Sequence, residues 1–323
     1  MRQVADEPVS AWAPPSYTVD ERGKVVGVEP GTPNNWGRWG DDDQRGTANL
    51  LTPERVAAAA ALVHSGKRFP LGVPITAQMP RPGGRPLPIH TWASAAGDGV
   101  LNAGRHNGSD DWIVMALQGT TQLDGLGHVG FEDAMYNGWW AGLITASGGA
   151  RRLGLHNVAD GLCGRGVLLD VARHLGVDHL ERGFEITPAM LDDTAAAHGV
   201  EVRAGDLLFV RTGYYADFLS DQRSPGEPGL DDGCIEWLHE HDVAFVAADN
   251  QGVQFVSAPP GRTSFHFHIA TLRDLGLYLG EILDLDALAD DCADDGVYEG
   301  FCVTSTVPVV KSVGSPINPI FVK

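Results

Sequence analysis

Residues 118–131, QGTTQLDGLGHVGF, bring Gln118, Gln122, Asp124 and His128 within eleven positions of a 323-residue chain. A carboxylate and an imidazole this close together are suited to ligating a metal ion or to moving a proton. If the backbone stays extended, residues 118, 122 and 124 share one face, because strand side chains alternate. Gly119, Gly125 and Gly127 leave room for tight turns and for close approach of a ligand to the backbone. Spacing alone also suits a plain turn, in which Asp124 caps backbone amides and His128 is a hydrogen-bonded core histidine.

Something must hold these side chains in place, and the hydrophobic pattern predicts alternating strands and helices. Strands are expected in DWIVMAL (111–117), RGVLLDV (165–171), GDLLFVRT (205–212), DVAFVAAD (242–249) and FCVTSTVPVV (301–310). A helix is expected from Pro53 with Thr52 as N-cap and Gly66 as its stop, and another from Thr187 to Gly199 by the same grammar. Two more are expected over Asp231–His241 and in the acidic stretch LDLDALADDCADDG, whose charges would face solvent. Residues 70–111, rich in proline and then glycine, read as long irregular excursions of the kind that often carry function. No repeat or flexible linker divides the chain, so a single domain over residues 34–323 is expected behind an N-terminal arm, 1–33.

Hydrophobic residues make up 43% of the chain and charged residues 20%, enough to bury a large core without disulfides or metals. Cys163, Cys234, Cys292 and Cys302 are widely spaced and read as reduced and structural. A net charge of -19 argues against nucleic-acid and anionic-membrane partners. Neither a secretory leader nor a run of 18 apolar residues is visible, so a soluble cytoplasmic protein is expected. The nucleophile elbow, phosphate loop, HExxH and dinucleotide fingerprints are all missing, and GLCGRG (161–166) is better explained as a turn before a strand.

Residues 118–128 resemble the metal-binding signature HxGTHxDxxxH of the kynurenine formamidase-like, metal-dependent cyclase family. The threonine, the aspartate and the last histidine are in register, while Gln118 and Gln122 stand at the first two histidine positions. NNWGRWGDDDQRGTANLLTPERV, AMYNG (134–138), RTG (211–213), HIATLRDLGLYLGEI from His268 and the ending VGSPINP also resemble this family's long bacterial and fungal branch. The resemblance implies an α/β chain with a swivelling β/β/α architecture: a mixed β-barrel-like core, outer helices, and a homodimer or homotetramer.

Carried over residue by residue, the resemblance assigns Gln118, Gln122 and Asp124 to one metal position, Asp124 and His268 to another, and Glu281 to both. His128 falls at the proton donor and acceptor. A carboxamide is a weaker ligand than an imidazole, so the first position is expected to be weak or empty. Asp124, His268 and Glu281 then remain to hold one manganese, magnesium or zinc ion, or none. The function so implied is hydrolysis of an amide or lactone in a small cyclic or aromatic substrate, with His128 and Asp124 catalytic. Without a metal, the same groups suit a cyclase or dehydratase of secondary metabolism, with Gln118 and Gln122 orienting the substrate; loss of catalysis would leave a binding protein. Kynurenine formamidase activity itself is not expected of a chain so much longer than those enzymes. Trp39, Tyr136 and His90 are candidate substrate contacts, with Trp36 and His106 further aromatic and loop candidates. His266 and His268 would point to one side in an extended strand.

Overall fold

The structure, a computed structural model, describes residues 15–80, 84–101, 107–221, 224–257 and 265–323. Its centre is a nine-stranded mixed sheet. In spatial order the strands are Gly314–Pro316, Gln122–Asp124, Tyr278–Glu281, Phe245–Ala248, Leu207–Arg211, Leu162–Asp170, Glu299–Thr304, Ile320–Val322 and Arg68–Pro70. The four strands from Tyr278–Glu281 to Leu162–Asp170 run parallel, and the outer ones pair antiparallel. The parallel strands are buried on both faces, as Leu207–Val210 and Phe245–Ala248 are, which explains their continuous apolar runs.

The sheet curls until its edges approach. Leu71, just past the Arg68–Pro70 edge strand, accepts from Asp284 N–H at 2.9 Å, and Val73 N–H donates to Thr121 Oγ1 at 2.8 Å beside the opposite edge. The result is a half-barrel with helices outside it, in agreement with the expected architecture.

Local signals account for the helices. Thr52 and Thr187 each cap a proline-led helix, Pro53–Ala60 and Pro188–His198, by accepting a backbone N–H three residues on. The second helix stops at Gly199 in the left-handed region, as expected. The first ends before Gly66, because Ala61, Leu62 and Val63 tighten into bonds to carbonyls three residues back. The third helix is Cys234–Glu240, and the fourth is Asp286–Asp295. Its acidic face is solvated as expected, and Asp286, Asp290 and Asp295 there pair with Arg211, Arg173 and Lys323 at 2.6–2.8 Å.

Three expectations change. Residues 111–117 do not join the central sheet: Asp110–Val114 pairs only with Ile89–Ser94, in a two-stranded ribbon that leaves Ile89, Trp92, Trp112, Ile113 and Val114 exposed. The 70–111 stretch is therefore not wholly irregular, since it holds one strand of that ribbon and the helix Ala96–Leu101. Its prolines end at Pro88, and the β-prone IHTWAS follows. The 301–310 strand stops at Thr304. No helix among the described residues is long and apolar enough to cross a membrane.

Candidate functional site

Gln122–Asp124 lies between Tyr278–Glu281 and Gly314–Pro316, with Gln122 opposite Glu281 and Asp124 opposite both Leu279 and Gly314. Alternation puts Gln122, Asp124 and Glu281 on one face, as the sequence suggested for the first two. Gly280 keeps the strands close, because a Cβ there would stand 2.4 Å from the Phe245 ring. All three residues are at most 2% exposed.

His268 joins them from a neighbouring helix. His266–His268 is a helical turn that runs into a π-helix, Ile269–Leu275, not the extended strand expected, so the two histidines diverge. His266 is exposed beside Asp232, 3.4 Å away. His268 is buried, with Nε2 3.1 Å from Glu281 Oε1 and Nδ1 3.0 Å from Gln254 Oε1. A carboxamide oxygen only accepts, so Nδ1 carries the proton and Nε2 is left to bind a cation or share a proton with Glu281. Gln254 belongs to the loop after the Phe245–Ala248 strand. Asn250 pins that loop by accepting from Val253 N–H at 2.8 Å and donating to the Gln254 carbonyl at 2.9 Å.

His128 follows the GLG turn, its N–H bonded to the Gly125 carbonyl at 2.9 Å. Both glycines of that turn are packed: a Cβ on Gly125 would meet Leu155 at 2.7 Å, and one on Gly127 would meet Ile144 and Val313 at 3.0 Å. His128 Nε2 lies 3.6 Å from Asp124 Oδ2, and Nδ1 lies 3.4 Å from Gln118 Nε2. Gln118 itself sits in a turn outside the strand, not on the shared face, and reaches the histidine across Gly314.

One ligand atom from each of Asp124, His268 and Glu281 lies within 4.8 Å of the others. Gln122 Nε2 donates to Glu281 Oε2 at 2.5 Å and reaches Asp124 Oδ1 at 3.3 Å. Gln122 Oε1 and Asp124 Oδ2 are buried without a hydrogen bond. Burial, and then the neighbouring Glu281 charge, pushes the Asp124 carboxyl up to about 7; burial pushes Glu281 up to about 8. Burial also lowers the proton affinity of His128 and His268, although Asp124 opposes it in both. Unsatisfied buried oxygens, two proton-hungry carboxyls and an imidazole lone pair are a donor set that a single divalent cation would satisfy.

The cluster opens into a cavity of about 260 Å³ lined also by Arg85, Glu227, Gln251 and Phe265. None of these was singled out by the sequence; they come from separate loops, and neither motif nor periodicity marks them. The remaining candidates do not line it. Tyr136 is buried and donates to Asp43 Oδ2 at 2.9 Å, and Trp39 packs against the core beneath Arg38. Trp36 donates to the Arg273 carbonyl at 2.7 Å. His90 is on the exposed ribbon, 2.6 Å from Asp111, beside a different surface pocket. His106 lies outside the described residues.

Residues 69–254 match the family model described as "Putative cyclase". A solved structure of a novel cyclase is 40% identical, with 90% of this chain and 97% of that one covered and a TM-score of 0.85. An isatin hydrolase bound to the product analogue thioisatinate is similar in fold at 17% identity, with 84% and 98% of the two chains covered and a TM-score of 0.56. So is isatin hydrolase A from Ralstonia solanacearum, at 15% identity, the same coverage and a TM-score of 0.57. Among curated proteins, none matches the sequence.

Proposed function

The chain belongs to the cyclase family, and on that premise we propose that it is a hydrolase that opens an amide or lactone bond in a small cyclic or aromatic molecule. The observation that carries this reading is the meeting of Asp124, His268 and Glu281 in one cavity, with His128 against the unbonded Asp124 oxygen. The isatin hydrolases of similar fold lend it chemical company.

Asp124, His268 and Glu281 would hold a single manganese, magnesium or zinc ion. When bound, such an ion supplies Lewis-acid polarisation of the carbonyl under attack. The protein's own groups do the rest. His128, whose Nε2 faces Asp124, takes the proton of the attacking water and returns it to the departing nitrogen or oxygen. Asp124 steadies the imidazolium formed in between. Gln118 packs against the far ring nitrogen and fixes the ring's aim. Gln122, bonded to two carboxyls, keeps them on one side of the cavity.

The test is turnover of a panel of aryl lactams, aryl lactones and N-acyl anilines by the wild type and His128→Ala. Loss of turnover by about 10²-fold or more with the fold intact is expected, the scale of a lost general acid/base. Full activity in His128→Ala would sink the assignment.

A second reading, a metal-independent cyclase or dehydratase, is favoured by one observation. The Gln122 amide already bridges Asp124 and Glu281, so the two carboxyls form an acid/base cluster without a cation. Activity that survives exhaustive chelation would select it.

A further inference from the structure

The cavity that holds the Asp124–His268–Glu281 cluster has a third carboxylate that the reaction above does not use. Glu227 is partly buried, and its backbone is pinned by a reciprocal pair of N–H···O bonds with Val256, both 2.8 Å. Its side chain is gripped at both oxygens by one residue: Gln251 donates its backbone N–H to Oε2 and its Nε2 to Oε1, each at 2.8 Å. Gln251 Nε2 also reaches Tyr214 Oη at 3.1 Å, so the clamp is itself braced. Glu227 forms no ion pair among the described residues. Arg182, which acts on it electrostatically, is bonded to Asp217 at 2.7 Å and to the Asp221 and Ser224 carbonyls.

An oriented carboxylate that faces a cavity and makes no ion pair of its own among the described residues is a recognition element awaiting a donor. Burial pushes this carboxyl up to about 7, so above that pH it is ionised and only accepts; beyond its bonds to Gln251 and Tyr214 it keeps lone-pair capacity for a ligand group that carries a hydrogen. Phe265 and Val256 give the same cavity an apolar wall, and the Phe265 ring stands edge-on to His268 at 6.0 Å between centroids. The cavity thus joins a carbonyl-activating end, a surface for a flat ring and a fixed hydrogen-bond acceptor.

We propose that Glu227, oriented by Gln251, is the specificity carboxylate of this site and accepts a hydrogen bond from a nitrogen-bound hydrogen of the substrate. The preferred rings are then N–H heterocycles, not their oxygen isosteres. This rests on the hydrolase reading for the identity of the ring, but its test does not require turnover. A site built around a buried acceptor discriminates strongly, because the analogue without the hydrogen leaves that acceptor unpaired.

The probes are isoindolin-1-one and phthalide, two rings of the same shape that differ by N–H against O. Their dissociation constants are measured calorimetrically on the protein saturated with manganese. Wild type is expected to bind isoindolin-1-one at least about tenfold tighter. Glu227→Met should erase that preference, and Glu227→Gln, which keeps the shape and can accept only one of the two Gln251 bonds, should narrow it, so that the proposal stays testable if the first variant does not fold. Equal binding of the two probes by wild type, binding of neither, or a preference that survives in the folded Glu227 variants overturns the proposal. A preserved preference in wild type alongside absent turnover across the whole panel would overturn the hydrolase reading alone.

Discussion

Gln122 and Glu281 stand directly opposite each other on adjacent antiparallel strands, joined by an Nε2–H···Oε2 bond of 2.5 Å, and the same amide nitrogen reaches Asp124 Oδ1 at 3.3 Å. One amide group thus occupies one oxygen on each carboxylate and leaves the other oxygens, with His268 Nε2, to a single further partner. Metal content measured by mass spectrometry on tag-free protein purified without chelators is therefore expected to be near one divalent ion per chain, and to vanish in Asp124→Ala. Binding of two ions, or an ion retained by the variant, would contradict this arrangement.

The same carboxyls set a pH dependence. Asp124 rises from an ordinary 3.8 to about 7 and Glu281 from 4.5 to about 8, so in the metal-free fold both hold protons more tightly than in the unfolded chain. Their contribution to stability is then full below the unfolded values and is lost as pH rises through about 7 to 8. The Tm of metal-free protein is expected to fall between pH 6 and pH 9, beyond the trend shown by Asp124→Asn. A bound cation needs the carboxyls ionised, so calorimetry in buffers of different ionisation enthalpy should show release of up to about two protons per ion near pH 6, declining toward zero by pH 9.5. A proton count independent of pH would mean that these groups do not ligate.

Gln254 makes a separate claim on the cation. It holds the Nδ1 proton of His268 and so presents the Nε2 lone pair to Glu281. Gln254→Met removes that partner while roughly preserving volume. Manganese affinity is expected to drop by about 10- to 100-fold, the usual cost of losing an outer partner of a ligating histidine. Gln254→Glu, which still accepts from Nδ1, should restore it. Equal losses in both variants would make Gln254 a packing residue only.

How much of this could be read from the chain follows from what is local. The caps at Thr52 and Thr187 and the buried runs around Val167, Phe209 and Val246 are each a short-range pattern, and they appear where expected. Gln122 and Asp124 share a face because alternation is a property of one strand. What the pattern could not give is apposition. DWIVMAL is as apolar as a core strand, yet it pairs outside the sheet, because strand partners are chosen by the whole fold and not by the run itself. His268 was placed through a motif, but its separation from His266 depends on helical geometry that two histidines two residues apart do not encode. Arg85, Glu227 and Gln254 reach the cavity from three loops, and no spacing in the sequence connects them.

Gly314 leaves open the path by which Gln118 reaches His128. A Cβ built there would lie 2.2 Å from Gln118 Nε2, 2.4 Å from its Cδ and 2.7 Å from its Cγ, so the carboxamide crosses where a side chain would otherwise be. The backbone at 314 is not in the left-handed region, so alanine is tolerated there, and the flexible Gln118 side chain, not the strand, must yield. Gly314→Ala is accordingly expected to change stability by no more than about 1 kcal/mol. It should displace Gln118 from His128 and lower kcat/KM as far as Gln118→Ala does. Because both changes remove the same contact, the double variant should fall no further, the non-additivity of residues acting through one another. Independent, multiplying losses would show that the glycine and Gln118 serve different ends.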